Sequence, residues 1–133
     1  MQKMEFEKRL KQIKYKVNNV FKIAINKQIS DIIQLMQTND IDISYETSVD
    51  LIQMLINVQR TLENHIKGKC TESSLLCAAD EIKELADNND EIALIPELLN
   101  ALNELVETVY LLSGYNDMVF GYEFMRKEQD NKL

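Results

Sequence analysis

The sequence predicts an all-α fold, a single-domain antiparallel helical bundle of about five helices over residues 1–133. Three observations carry that reading. Three glycines and one proline are far fewer turn residues than a β-rich chain of this length needs. Apolar residues recur at alternating steps of three and four, the period of one helical face. A content of 45% apolar and 28% charged residues matches a folded chain, and its length is that of one domain.

The elements follow in order. From Phe6 the apolar positions Leu10, Ile13, Val17, Val20 and Ala24 hold one face, so a first helix is expected from about Met4 to Gln37, with a bend near Asn18-Asn19. Thr38-Asn39-Asp40 reads as a turn and Ile41 to Tyr45 as an extended piece. Thr47-Ser48-Val49-Asp50 then offers a capping-box-like start to a second helix. That helix carries Val49, Ile52, Leu55, Ile56, Gln59, Leu62 and Ile66 and stops at Gly68. A third begins near Thr71 or Ser73, turns Leu75, Ala79, Ile82 and Ala86 inward and ends at Asn88-Asn89-Asp90. In the fourth, Pro96 fits the first turn, where its missing N–H costs little. Ile95, Leu98, Leu99, Leu102, Leu105, Val106, Val109 and Leu112 form its stripe, and Ser113-Gly114 closes it. A short fifth helix is expected over about Asp117 to Arg126, with a frayed tail from about residue 127.

Several chemistries find no support. The N-terminal residues are charged where a signal peptide needs an apolar stretch, and no window approaches the roughly 20 apolar residues that span a bilayer. Cys70 and Cys77, seven residues apart on one helix, would stand about 10.5 Å apart in rise, beyond disulfide reach. Free thiols in a cytoplasmic protein are therefore expected. The lone histidine, His65, suits the negative end of a helix dipole. A catalytic pairing with Cys70 or Cys77 has no flanking pattern to support it. Glu81 with Glu84, and Glu104 with Glu107, lack the histidines that carboxylate metal sites in bundles use. No catalytic residue, metal site or cofactor is expected, and the chain is not read as an enzyme.

Charge gives the functional lead. Residues 1 to 27 carry eight Lys and Arg against two Glu, whereas residues 70 to 125 carry twelve Asp and Glu against Lys83 alone. With Leu10 as the core direction, Lys8, Lys11, Lys16, Lys22 and Lys27 scatter around the first helix without interleaved aromatic platforms, so nucleic acid and an anionic membrane surface are not the expected partners. The acids are better ordered. Asp80, Glu84 and Asp87 form one outward ridge on the third helix. Glu97, Glu104 and Leu111 fall at seven-residue intervals on the outer face of the fourth, beside Glu107. Leu111 is an apolar residue opposite a complete core stripe, and Tyr110, Tyr115 and Tyr122 add the amphipathic aromatics that interfaces favour. These ten residues are the expected partner-binding set.

A compact, acidic, helical chain without catalytic apparatus resembles, across its whole length, the bacterial immunity proteins that block toxic nuclease domains in contact-dependent growth inhibition. The segment Ile95-Pro96-Glu97-Leu98-Leu99-Asn100-Ala101-Leu102 through Leu112-Ser113-Gly114 also looks like part of an uncharacterised family of helical bacterial proteins. No residue role carries over from either. The first resemblance implies stoichiometric occlusion of a cognate protein toxin, a basic nuclease domain, by an acidic surface that imitates its substrate's charge. The alternative is a helical regulatory or scaffold module whose long first helix self-associates or pairs with another helix.

Overall fold

The computed structural model describes the backbone of residues 2–38, 42–69 and 72–131, and the side chains of residues 4–38, 42–69 and 74–114. It is an all-α bundle of five helices: α1 (Gln2–Met36), α2 (Tyr45–Ile66), α3 (Glu72–Asn88), α4 (Asp90–Ala93) and α5 (Pro96–Asn131). No strand is present among the described residues. None of the helices in the described residues is long and apolar enough to cross a membrane.

The core stripes of α3 and α5 are those the sequence spacing predicts. Leu75, Ala79, Ile82 and Ala86 are buried on α3, as are Leu98, Leu102, Leu105, Val106, Val109 and Leu112 on α5. On α1 and α2 the expected stripes are met only in part: Leu10 on α1 and Leu55 and Leu62 on α2 are buried, but the centre of each buried face is turned from the expected one. Ile25, Ile29 and Ile32 anchor α1, while Ile13 and Val20 of the expected stripe are 52% and 65% exposed. The stripe read from residues 6 to 24 is rotated by roughly 100° from the isoleucine face that follows it. The later face supplies the fully buried anchors of the core cluster, while of the earlier stripe Leu10 is buried and Val17 packs against that cluster. On α2 the buried line is Leu51, Leu55, Val58 and Leu62, which leaves Ile52 and Ile56 partly in solvent.

Two boundaries differ from expectation. Ser44, not Thr47, caps α2: its hydroxyl accepts the Thr47 N–H at 3.2 Å, and Thr47 itself is buried. Glu91 on α4 explains the shift. Its carboxylate takes the Ser44 hydroxyl at 3.0 Å and the Ser44 N–H at 3.2 Å, placing a negative charge at the positive end of α2. No helix end occurs at Ser113-Gly114, so the expected fourth and fifth helices are one. Ser113 is buried, Gly114 keeps a helical backbone, and a lone helical glycine costs only about 1 kcal/mol, which the packing of its neighbours outweighs. Helix α1 runs unbroken through Asn18-Asn19. The expected turn residues Asn39 and Asp40 and the helix-start residue Thr71 lie outside the described residues, whereas Asp42–Ser44 are irregular, as an extended link requires.

The end of α2 is as read from Gly68. That residue takes φ +73°, its N–H bonds the His65 carbonyl at 3.0 Å, and the Lys69 N–H reaches back to the Asn64 carbonyl at 2.7 Å. The pair is the Schellman arrangement, which needs a left-handed residue after the last helical turn.

Helix directions follow from three contacts. Lys22 of α1 and Glu63 of α2 meet at 2.6 Å, Ser44 meets Glu91 just before α5, and Gln28 of α1 donates to Thr108 of α5 at 2.9 Å. The last turn of α1 and the first of α5 therefore share one end of the bundle, and α1 and α5 run antiparallel.

Gly68 and Gly114 have opposite roles, and substitution separates them. Gly68→Ala should destabilise by about 1 kcal/mol because an alanine is strained at φ +73°. Gly114→Ala meets nothing within 4 Å and should stabilise by about 0.5–1 kcal/mol, both read from urea unfolding. The bond from Thr47, and after it those from Ser44, hold the Glu91 carboxyl below its ordinary 4.5. A lowered folded-state value contributes stability above that pH and loses it as pH falls further. Thermal midpoints taken from neutral to acid pH should therefore fall less steeply below about pH 4.5 in Glu91→Gln than in the parent chain.

Candidate functional site: an acidic helical surface

Alternation of buried and exposed positions along α3 sends Asp80, Glu84 and Asp87 outward together, with Cys77 exposed one turn earlier. On α5, Glu97, Glu104, Glu107 and Leu111 are exposed, Leu111 by 59%, and Tyr110 is half-buried at the edge of the core. None of these acids forms an ion pair among the described residues. The ion pairs shown there join Glu63 to Lys22 and Lys67.

Tyr110 and Asp80 meet each other. The Tyr110 hydroxyl donates to the Asp80 carboxylate across the α3–α5 seam. That bond first, then burial, pushes the phenol from its ordinary 10.0 up to about 12, because ionising it would set an anion against a carboxylate. Two residues expected to contact a partner thus also fix the spacing of the two helices that carry the acids.

The same bond shows which way the ridges face. Thr108, which accepts from Gln28, marks the flank of α5 toward α1, and Tyr110 marks the flank toward α3. At about 100° per residue, Glu97, Glu104 and Leu111 lie within about 60° of Thr108, so their line is turned toward α1. The α3 ridge and the α5 line are therefore two surfaces, with Glu107 on the crest between them. Sequence spacing could align residues within each helix but could not orient one helix against the other. The Tyr115 and Tyr122 side chains lie outside the described residues, as does Cys70.

The surface missed by sequence reasoning is on α1. Ile13, Val20 and Ile23 are exposed, Ile23 by 71%, and Arg9, Lys16 and Lys27 share their outward side. Lys8, Lys11 and Lys22 do scatter to other sides of the helix, as expected, and leaving Arg9 out of the reading hides the line that Lys16 and Lys27 share with it. The seven-residue step from Arg9 to Lys16, continued by Ile23, is the signal that marks the line.

Chemistry of other kinds has little to build on. Among the described residues no group of three or more His, Cys, Asp or Glu side chains is placed to hold a metal ion. A shallow groove between α2 and α3 is lined by Asp50, Gln53, Met54, Asn57 and Glu81, with no nucleophile and base side by side. His65 sits in the last turn of α2.

In an alkaline absorbance titration Tyr110 should ionise near pH 12, and Asp80→Asn should return it toward 10. Its raised folded-state value contributes stability that is complete below about pH 10 and is lost as pH rises through 12. Tyr110→Phe should remove that alkaline loss of stability.

Compared with protein families, with characterised proteins and with solved structures, the chain shows no significant match.

Proposed function

We propose that this protein is an immunity protein that binds and neutralises a cognate toxin, a basic nuclease domain, by covering it with the acidic surface of α3 and the crest of α5. The observation that carries the reading is the Asp80, Glu84 and Asp87 ridge: exposed, aligned and without a cation paired to it among the described residues. Three such charges at successive turns cost self-repulsion, and a basic partner removes that cost.

The mechanism is occlusion. A nuclease site holds phosphate with clustered cations, and carboxylates spaced along a rigid helix offer it an alternative anion. Long-range attraction raises the encounter rate, and the half-buried Tyr110 ring supplies contact that water does not screen. Its bond to Asp80 pre-orders both groups, so less side-chain freedom is lost on binding.

The test is to examine the neighbouring genes for a nuclease toxin domain and, with that domain, to measure co-expression rescue and binding of the purified pair; a neighbourhood without one would count against the reading. The chain should restore growth and suppress nuclease activity at a one-to-one ratio. The association rate should fall at least tenfold, an order-of-magnitude figure, between low and high salt. Glu84→Lys with Asp87→Lys should slow association by about tenfold while leaving the circular dichroism spectrum unchanged. An undiminished rate would remove α3 from the contact.

A further inference from the structure

Two outward lines on the bundle share one spacing. On α1, Arg9, Lys16 and Ile23 step by seven residues; on α5, Glu97, Glu104 and Leu111 do the same. All six are exposed. Taken in order, the lines complement each other position by position: Arg9 with Glu97, Lys16 with Glu104 and Ile23 with Leu111, at a constant offset of 88 residues. Each step is about 10.5 Å, so one parallel alignment satisfies all three pairs.

Within a single chain that alignment does not form, because α1 and α5 are antiparallel. With Gln28 level with Thr108, Lys16 and Glu104 are about 24 Å apart along the bundle and Arg9 and Glu97 about 45 Å. Both separations far exceed the screening length of about 8 Å at physiological salt. The α1–α5 face therefore carries Arg9 and Lys16 toward one end and Glu97 and Glu104 toward the other, with Lys27 near the Gln28–Thr108 level between them.

We propose that this face is closed by a second copy of the chain, related by a two-fold axis perpendicular to it. Such an axis reverses the second copy, so its α5 runs parallel to α1 of the first, as the 88-residue register requires, and every pairing occurs twice. The position of the axis is fixed independently. The Gln28–Thr108 level puts Leu111 within about three residues of Ile23 along the bundle, so the axis passes close to Ala24. There the two copies of Ile23 and Leu111 gather into one apolar cluster, flanked by Val20 and rimmed by the charge pairs, the arrangement of a packed centre and a polar rim. A partner that was merely basic would leave Arg9 and Lys16 facing like charge; a second copy does not.

This pairing goes beyond the toxin-binding reading, since it uses the α1 flank of α5 and leaves the α3 ridge open. Sedimentation equilibrium on the full chain at low salt should give twice the 15.5 kDa chain mass. Leu111→Glu should return the monomer mass. Lys16→Glu and Glu104→Lys should each weaken the dimer by about tenfold, and the double exchange should restore it, which no folding defect would do. Glu84→Lys should leave the mass unchanged, so failure of toxin binding and failure of pairing are read apart. A chain that stays at 15.5 kDa up to millimolar concentration, or a dimer indifferent to the single exchanges, would overturn the proposal.

Discussion

Burial of the α5 stripe is the constraint on which the other surfaces depend. Leu98, Leu102, Leu105, Val109 and Leu112 are all removed from water, and α5 packs against α1, α3 and α4. Each such side chain contributes about 1.5–3 kcal/mol on leaving water, which outweighs the cost of carrying Gly114 inside the helix. Once that stripe faces inward, nothing on α5 is free to turn. Tyr110 must meet α3, Thr108 must meet α1, and Glu97, Glu104 and Leu111 are left outside.

The chain's electrostatics follow from that geometry more than from net charge. An overall −7 would suggest uniform repulsion of anions. Yet α1 keeps Arg9, Lys16 and Lys27 on its outer side, and antiparallel packing holds Arg9 and Lys16 far from the acids of α5. Charges separated by several screening lengths barely interact. The result is a molecule with opposed ends on one face and an acidic flank on another, two distinct invitations to bind. Where the chain does pair charges internally, as between Lys22 and Glu63, the pair ties α1 to α2.

Much of the fold was legible because helical period and apolar content are local properties. The inward faces of α3 and α5, the cap at Gly68 and the place of Pro96 at the start of α5 could each be read from a window of a few turns. The exposure of Leu111 was legible for the same reason: it falls off a stripe that is already complete. The N-cap of α2 was not legible, since Ser44 gains its partner from Glu91, 47 residues away.

By itself, then, the sequence determined that the chain is helical, which residues of α3 and α5 leave water, and that its acids form lines. Only the tertiary structure decided which apolar arc of α1 is core and which way the acidic lines face. Two arcs of that helix offer comparable apolar surface, and its own period cannot choose between them. The choice belongs to the helices that surround Ile25, Ile29 and Ile32, and it is what leaves Ile13, Val20 and Ile23 in water.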